Sequence, residues 1–338
     1  MRPFAYDTPT DPATAVATVA ARADATFLAG GTNLVDHLRL GVAHPGLLVD
    51  VRDVTSAEVT ELDGGLRIGA GVPNSDLAAD PRVRDRYPVL SQALVAGASG
   101  QLRNMATAGG NPLQRTRCAY FQDVTTPCNK RSPGSGCSAI SGATREMAIV
   151  GASEHCVATH PSDMAVALAI LDAQVQVLGP DGARTVPFAQ LHRLPGDRPD
   201  RDTVLEHGEL ITAIDLPAAP VAARSTYRKV RDRRSYAFAL VSVAAAVEVA
   251  DGRLADVRIA FGGIAHRPWR AGTAEAALRG TAVGDPAAFA NAVQEAAAAE
   301  LADARPLDGV DGGNAFKVPL AEQTLLAALQ TLTEEATP

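Results

Sequence analysis

The sequence predicts an α+β protein with two domains, and three observations lead to this prediction. The chain has 338 residues, which is enough for two hydrophobic cores. Strand and helix patterns are interspersed up to a linker-like run, AAPVAAR, at 218–224. Beyond that run, strand patterns come first and helix patterns follow, which is typical of an antiparallel sheet covered by helices. We therefore predict one domain at 1–220 and a second at 221–338.

In the first domain, hydrophobic periodicity and turn residues mark helices and strands in alternation. The helix patterns lie at 11–23, at 88–97 and from Asp163 onwards. A further helix pattern follows Gly30-Gly31 and begins at Thr32 or Asn33. The strand patterns lie at 47–51, 66–70, 174–178 and 209–216. Ser162 precedes the last of these helices, and we expect its side chain to cap the helix N-terminus.

The second domain shows a hairpin signal followed by helical sequence. Asp251-Gly252 separates two apolar runs, and this dipeptide favours the tight turn of a hairpin. The predicted strands lie at 227–230, 241–249 and 257–261. The predicted helices lie at 271–279, 286–302 and 319–334.

Composition and charge exclude several classes of function. The net charge of −7 argues against a surface for nucleic acid or for anionic lipid. No run of about 18 apolar residues is present, so no membrane span is predicted. The first residues, MRPFAYDTPTDPATA, lack the apolar core of an export signal. We expect a cytoplasmic protein, or one that is exported together with a signal-bearing partner.

All four cysteines fall in one polar segment at about 112–158. They are Cys118, Cys128, Cys137 and Cys156. Pro, Gly, Ser, Asn and basic residues fill the spaces between them, and few of these residues suit a core. A segment of this length and polarity does not bury enough apolar surface to fix itself. Four thiolates bound to a metal centre would hold it in place.

Three interpretations of these cysteines remain open at the level of spacing. Scattered free cysteines are often no more than small buried hydrophobes, but here all four share one segment. Structural zinc typically uses pairs of cysteines two to four residues apart, and no such pair exists. An iron–sulfur cluster tolerates long spacing, although this spacing matches no common ferredoxin pattern. The segment also carries five cations that would favour thiolates, or that simply aid solubility: Arg115, Arg117, Lys130, Arg131 and Arg145.

Two Gly-Gly turns are candidates for binding a diphosphate. Gly30-Gly31 and Gly109-Gly110 are each followed within two residues by an asparagine. Glycine lets backbone N–H groups approach an anion closely, and a helix that follows adds partial positive charge. Neither turn is a GxGxxG or Walker A motif, so a dinucleotide site here would not be of the Rossmann type.

Two charged residues each have a structural and a functional interpretation. Asp163 is either a partner of its helix dipole or an acceptor for a ribose hydroxyl. Lys229 belongs either to a solvated edge strand or to the surroundings of a flavin or phosphate.

Taken together, these motifs resemble the flavin-binding medium subunit of the xanthine dehydrogenase family of molybdenum hydroxylases. LAGGTNL at 28–34, TAGGNP at 107–112, HPSDMAVAL at 160–168 and KVRDRRSYAFALVSVA at 229–244 occur in the family's order. The resemblance covers almost the whole chain. It implies a two-part FAD-binding domain of the PCMH or vanillyl-alcohol-oxidase-like flavin fold, followed by a C-terminal domain of antiparallel sheet and helices.

The cysteine segment makes the chain resemble particular members of this family. Many family members pass directly from the second Gly-Gly-Asn to the helix that carries the aspartate. Here QRTRCAYFQDVTTPCNKRSPGSGC intervenes, and it is similar to the insertion in bacterial periplasmic aldehyde oxidoreductases and, more loosely, in 4-hydroxybenzoyl-CoA reductases. In those subunits the insertion holds a [4Fe–4S] cluster, so the resemblance implies that Cys118, Cys128, Cys137 and Cys156 ligate one.

The resemblance also implies roles for the cofactor-binding residues. The first turn would wrap the FAD diphosphate through Leu28, Ala29, Gly30, Gly31, Thr32, Asn33 and Leu34. The second turn would contact the remainder of the cofactor through Thr107, Gly110, Asn111 and Gln114. Asp163 would accept a hydrogen bond from a ribose hydroxyl, and Lys229 would lie near the flavin.

The function implied is that of an electron-transfer subunit in a heterotrimer. Aldehyde oxidation would take place on a large molybdopterin-binding subunit, and a small [2Fe–2S] subunit would pass electrons to FAD and on to an external acceptor. No catalytic residue for the substrate is expected in this chain. Three alternatives are a zinc-stabilised scaffold, a stand-alone flavin oxidase of the vanillyl-alcohol type, and the FAD subunit of an aryl-CoA reductase or xanthine dehydrogenase. His155 and His160 flank Cys156, but neither belongs to a recognisable catalytic arrangement.

Overall fold

Three β-sheets and the helices around them form the part of the chain that this computed structural model describes, residues 1–334. The strands are β1 (Ala5–Asp7), β2 (Ala25–Leu28), β3 (Leu47–Asp50), β4 (Val59–Leu62), β5 (Gly65–Gly69), β6 (Gln174–Gly179), β7 (Gly182–Pro187), β8 (Leu210–Leu216), β9 (Ser225–Val230), β10 (Val241–Ala250), β11 (Arg253–Gly262) and β12 (Trp269–Arg270). The helices are α1 (Pro12–Ala20), α2 (Leu34–Leu40), α3 (Asn74–Ala79), α4 (Pro81–Arg86), α5 (Pro88–Ala96), α6 (Gly100–Met105), α7 (Ala119–Gln122), α8 (Asp163–Ile170), α9 (Phe188–Leu191), α10 (Gly272–Leu278), α11 (Pro286–Glu300) and α12 (Lys317–Glu334). Short 3-10 turns lie at Asn111–Leu113 and Pro220–Ala223.

The first sheet is small and parallel, with strand order β1-β3-β2. Asp11 caps α1 by accepting a hydrogen bond of 2.9 Å from the backbone N of Thr14, and Pro12 supplies a favourable first residue. Val16 and Val19 of that helix are buried against the sheet. This small layer positions the end of β2, where the first Gly-Gly turn begins.

The second sheet is antiparallel and has the order β4-β5-β8-β6-β7. Along β6 buried and half-buried residues alternate, so that Val175 and Val177 face the core while Gln174 and Gln176 do not. Such a period of two is the mark of a sheet with one face covered. That buried face belongs to the same apolar cluster as helices α3, α5 and α8.

The C-terminal sheet is antiparallel, with order β12-β11-β10-β9. Asp251 and Gly252 join β10 to β11 with φ angles of 49° and 68°, as a two-residue type I′ turn requires. Helices α10, α11 and α12 share an apolar cluster with β10 and β11. This arrangement agrees with the antiparallel sheet and helices expected for the C-terminal part.

Helix α8 joins the two halves of the molecule. Every residue from Met164 to Ile170 is buried, and Ser162 caps the helix by accepting a hydrogen bond of 3.0 Å from Ala165 N. The helix packs against β10 and β11, so closely that a Cβ at Gly262 would lie 2.5 Å from Val166 Cγ2. A single apolar cluster therefore contains α8, the second sheet and residues of the C-terminal sheet.

The predicted helices and strands are all present, with ends that differ by a few residues. The prediction for 319–334 is matched by a helix that begins earlier, at Lys317. The elements that were not predicted are short: β1, β4, β7, β12, α3, α4, α6, α7 and α9. In residues 1–334 we find no helix with the length and apolar character needed to cross a bilayer.

Candidate functional site

One cavity of about 450 Å³ lies between the two Gly-Gly turns, helix α8 and strand β9. Its volume falls in the range of about 300–1,000 Å³ that is usual for small-molecule and cofactor sites. The predicted cofactor residues that line it are Ala29, Gly30, Gly31, Thr32, Asn33, Leu34, Thr107, Gly110, Asn111, Gln114, Asp163 and Lys229. Leu28, which was predicted with them, lies at the end of β2 and does not line the cavity.

The first turn needs glycine for two separate reasons. A Cβ at Gly30 would sit 1.8 Å from the carbonyl oxygen of Met105, so no side chain fits there. Gly31 has φ of 71°, in the left-handed region that glycine adopts without strain. The turn leads into α2, where Asn33 occupies the N-cap position and accepts a hydrogen bond of 3.0 Å from the backbone N of Arg115. The backbone of this turn is therefore fixed at the wall of the cavity.

Hydrogen bonds also fix the second turn. The hydroxyl oxygen of Thr107 accepts a hydrogen bond of 3.2 Å from Gly110 N. The carbonyl oxygen of Thr107 accepts one of 2.9 Å from Asn111 N. The side-chain oxygen of Asn111 accepts from Gln114 Nε2 at 3.0 Å and from Ser162 Oγ at 2.5 Å. Because two donors occupy that oxygen, the remaining group that Asn111 can offer a ligand is its amide nitrogen.

Asp163 and Lys229 form a buried ion pair at the cavity wall. Lys229 Nζ lies 2.7 Å from Asp163 Oδ2, and the two side chains are 4% and 9% exposed. Tyr227 donates a hydrogen bond to the other carboxylate oxygen, and burial raises the pKa of that tyrosine well above its usual value. The interpretation of Lys229 as a residue of a solvated edge strand is therefore wrong, although β9 is an edge strand.

Several polar residues of the cavity wall were not predicted as cofactor ligands. Arg115 and Arg117 line it, as does His37, whose pKa is lowered to about 4 by burial and by the two neighbouring arginines. Asn74 Oδ1 and Arg117 Nε are buried without a hydrogen-bond partner in the described chain. Two arginines spaced by two, four and six residues after the asparagine of a Gly-Gly-Asn turn, are a sequence signal that would have predicted anion-binding residues here.

The cavity fits a long, polar, anionic cofactor such as FAD. Two close-approach backbone turns face it, and its wall holds an unpaired acceptor and an unpaired guanidinium nitrogen. Buried polar atoms without partners are uncommon in proteins, and a bound ligand is one usual explanation for them.

The structure brings the four cysteines into one small cluster with Phe121, Met147 and other apolar residues. All four are free thiols; Cys137 is half-buried and the other three are buried. Cys128 and Cys137 are paired by an isolated antiparallel β-bridge. The expectation that this segment could not form a core is thus wrong in part, because it encloses a core of its own around the sulfurs.

The thiols are close enough to affect one another. Burial raises the pKa of Cys118 to about 11, and Cys128 and Cys137 add to the shift. A hydrogen bond from Cys156 to Cys137 lowers the pKa of Cys137 and raises that of Cys156. Thiolates in such surroundings need a compensating positive charge, which a metal centre supplies.

The expected cations serve different purposes. Lys130 is buried near Cys156, donates to Pro199 O at 2.8 Å and forms an ion pair with Asp202. Arg115 binds the other oxygen of Asp202 at 2.7 Å. Burial would raise the pKa of Asp202, but these two cations lower it to about 2. Asp202 thus connects the cavity wall to the cysteine cluster, a link that the sequence did not predict.

Two further cations of the segment, Arg131 and Arg145, bind groups other than the thiols. Arg131 donates to the carbonyl oxygens of Tyr120, Phe121 and Thr126 and so closes the loop between the first two cysteines. Arg145 forms an exposed ion pair with Asp232.

Within residues 1–334, no three His, Cys, Asp or Glu side chains are arranged as ligands of a single metal ion. Sulfurs around a cluster of four iron atoms lie farther apart than sulfurs around one ion. Four cysteines that hold such a cluster therefore need not show this single-ion arrangement. Four free cysteines gathered in one cluster fit a four-thiolate centre in number and chemistry.

Comparison with known families accounts for nearly the whole chain. A family model described as the FAD binding domain in molybdopterin dehydrogenase matches residues 2–219. A second, described as the CO dehydrogenase flavoprotein C-terminal domain, matches residues 225–332. The domain boundary near 220 stays a prediction.

Two relatives illustrate the range of similarity. The aldehyde oxidoreductase FAD-binding subunit PaoB of Escherichia coli (strain K12) is 49% identical over 332 residues, covering 97% of this chain and 98% of the relative. The carbon monoxide dehydrogenase medium chain of Afipia carboxidovorans is 27% identical and covers 89% of each.

Solved structures show the same fold. CO dehydrogenase from Oligotropha carboxidovorans aligns with a TM-score of 0.76 at 24% identity, over 98% of both chains. Quinoline 2-oxidoreductase from Pseudomonas putida 86 aligns with a TM-score of 0.75 at 23% identity, over 99% of this chain and 98% of the other.

Proposed function

Because this chain belongs to the family of FAD-binding medium subunits of molybdenum hydroxylases, we propose that it is the electron-transfer flavoprotein subunit of an aldehyde oxidoreductase. The family membership rests on the two family models and on the relative that is 49% identical. The substrate class comes from that relative, which is an aldehyde oxidoreductase subunit.

The observation that carries the proposal is that both Gly-Gly turns line a single cavity. The first turn would hold the diphosphate of FAD through backbone N–H groups, with Arg115 and Arg117 as nearby positive charges. Asn111 is held rigidly enough to direct its amide nitrogen at the cofactor. The Asp163–Lys229 pair would place a carboxylate at a ribose hydroxyl and an ammonium group near the flavin.

FAD, once bound, would supply the ability to accept electrons singly and to release them in pairs to an external acceptor. The protein's own residues bind the cofactor and fix the charges around it. The chain would assemble with a large molybdopterin-binding subunit and a small [2Fe–2S] subunit, and its compartment would follow any signal on those partners. Aldehyde chemistry would take place on the large subunit, so this chain needs no catalytic residue of its own.

We further propose that Cys118, Cys128, Cys137 and Cys156 hold a [4Fe–4S] cluster. Their gathering in one buried cluster, with Lys130 beside Cys156, supports this proposal. The cluster would either relay electrons or fix the polar segment.

Turnover of the purified chain alone and in its complex tests the electron-transfer role. The isolated chain should contain FAD at one per chain and should not oxidise aldehydes. Together with the large and small subunits it should support aldehyde oxidation with an artificial acceptor. Aldehyde turnover by the isolated chain would contradict the proposal.

Metal and sulfide analysis tests the cluster separately. About four iron atoms and four acid-labile sulfides per chain are expected, with loss of both in Cys137→Ser. Zinc without sulfide would instead favour the zinc-stabilised scaffold. In a cysteine variant that folds and keeps FAD, unchanged turnover in the complex would assign the cluster a structural role.

A further inference from the structure

The turn that joins β11 to β12 is a part of the C-terminal domain that binds the cysteine segment. The carbonyl oxygen of Ile264 accepts hydrogen bonds from Ile149 N at 2.9 Å and Val150 N at 3.1 Å. Ala265 O accepts from His160 N at 2.9 Å. These bonds fix the chain on both sides of Cys156, so the turn and the fourth cysteine hold a constant position relative to each other.

The next residue of that turn, His266, points at a cysteine sulfur. Its Nε2 lies 3.3 Å from Cys156 Sγ, within hydrogen-bond distance for sulfur, and the residue is 8% exposed. Its other ring nitrogen, Nδ1, is buried without a partner among the described residues. An unpaired buried polar atom costs about 1–3 kcal/mol, which a leucine of similar size would avoid. Apolar packing alone therefore does not account for a histidine at this position.

If Cys156 ligates a metal centre, His266 must be the donor of this hydrogen bond and the sulfur its acceptor. A thiolate sulfur has no proton and acts only as an acceptor, so the proton of the ring must lie on Nε2. Nδ1 is then the unprotonated nitrogen, and no donor among the described residues bonds to it. A hydrogen bond to a ligand sulfur withdraws negative charge from the centre and makes the addition of an electron easier.

We propose that His266 of the C-terminal domain is a positioning residue for the cysteine centre, and that its Nε2–H bond to Cys156 Sγ raises the reduction potential of that centre. This inference rests on the proposed [4Fe–4S] cluster. It assigns the C-terminal domain a part in setting the electron affinity of a centre whose four ligands all lie in the first domain.

A redox titration of the purified complex, followed by electron paramagnetic resonance, tests this inference. His266→Leu removes the donor at similar volume, and the equilibrium constant for reducing the cluster should fall about tenfold, equivalent to about 59 mV for one electron. His266→Gln keeps an N–H at a similar reach and should stay within about threefold of the wild type. His207→Leu is the control for the loss of a histidine, because His207 donates to Val19 O, 2.9 Å, and touches no cysteine. An intact cluster with an unchanged potential in His266→Leu would overturn the inference.

If His266→Leu fails to fold or to retain iron, the variants His266→Gln and His266→Asn test the hydrogen bond instead. His266→Asn carries the same amide as His266→Gln but is one methylene too short to reach the sulfur. A wild-type potential in the Gln variant with a lower one in the Asn variant supports the hydrogen bond, and equal potentials overturn it. Loss of iron in both amide variants, with iron retained in Cys156→Ser, would identify His266 as a ligand and would also overturn it. Wild-type protein without iron and sulfide would refute the cluster proposal itself, an outcome that the iron analysis distinguishes from all the others.

Discussion

Gly30 is a residue at which the chain has no room for a side chain. In Gly30→Ala the new Cβ would meet the Met105 carbonyl at 1.8 Å, so the turn or α6 must move. We expect a loss of about 1–3 kcal/mol in the free energy of unfolding and at least tenfold weaker FAD binding. Urea unfolding and flavin titration measure the two effects. Gly100→Ala, where a Cβ meets nothing within 4 Å, is the control and should be neutral or stabilising. Equal behaviour of the two variants would contradict this account of the turn.

Removing one partner of the Asp163–Lys229 ion pair should destabilise the folded protein. Asp163→Asn leaves Lys229 as a buried cation without its counter-charge, and we expect the free energy of unfolding to fall by about 3 kcal/mol. Asp232→Asn removes half of an exposed pair with Arg145 and should cost less than about 1 kcal/mol. Calorimetry or urea unfolding gives both values. Adding Lys229→Met to Asp163→Asn should recover part of the loss, and strictly additive effects would show that the two groups are not coupled.

Lys317 gives the protein a pH-dependent stability. It is fully buried, donates to Met147 O at 2.9 Å and Gly263 O at 2.7 Å, and burial lowers its pKa to about 7. Between that pH and the unfolded pKa of about 10.4, the unfolded chain binds a proton that the folded chain lacks. Stability should therefore rise with pH in this window, by up to about 1.4 kcal/mol per unit. Below about pH 7 the full cost of burying the charge is present.

The variant Lys317→Met isolates this contribution. Urea unfolding of both proteins at about pH 7 and pH 9 should show the wild type gaining roughly 2 kcal/mol on the variant as pH rises. Other titrating groups contribute equally to both proteins and cancel in the difference. Parallel pH profiles would contradict the assignment to Lys317.

Most of the cavity wall was predictable residue by residue because its signals are local. Gly30-Gly31 and Gly109-Gly110 mark the turns, and Ser162 caps the helix that it precedes. The link through Asp202 was not predictable, since it joins Arg115 to a residue far along the chain. No pattern of spacing indicates which carboxylate two distant cations will share. The same holds for His266, which reaches Cys156 from the other domain.

At the scale of elements, long periodic segments were predictable and short ones were not. β10 and β11 each extend over 10 residues around a clear turn signal, and α12 extends over 18. β1 has 3 residues and is largely exposed, so its sequence carries little hydrophobic pattern. Such strands form because a neighbouring strand offers backbone partners, which is a property of the tertiary structure.

The loop between the first two cysteines depends on Arg131. Its guanidinium group donates to three carbonyl oxygens, and Arg131→Met removes all of these bonds. Of the three acceptors, Tyr120 O keeps a hydrogen bond of 2.9 Å from Thr126 Oγ1. We expect amide hydrogen exchange at 118–131 to accelerate about 30-fold, equivalent to about 2 kcal/mol. Arg198→Met removes only an exposed pair with Asp200 and should leave that exchange unchanged. Unaltered exchange in Arg131→Met would show that other contacts hold the loop.

At the scale of the whole molecule, the two proposed domains share one core. The apolar cluster around α8 includes Tyr227, Ala244 and Ala260 of the C-terminal sheet. We expect one cooperative unfolding transition, in which fluorescence of Trp269, the single tryptophan, coincides with far-ultraviolet circular dichroism. A fragment of residues 1–220 should be aggregated or protease-sensitive, because it exposes α8. Two separate transitions, or a folded fragment, would show that the domains are independent.

The turn at 263–266 also bears on biosynthesis. A ribosome delivers Cys118 to Cys156 before it delivers this turn, so the sulfurs of the nascent chain are uncovered for a time. Once Ile264 and Ala265 have bonded to the segment, three of these cysteines are buried and Cys137 is half-buried. We therefore expect iron and sulfide to reach the proposed cluster more readily before this turn has folded onto the segment than afterwards.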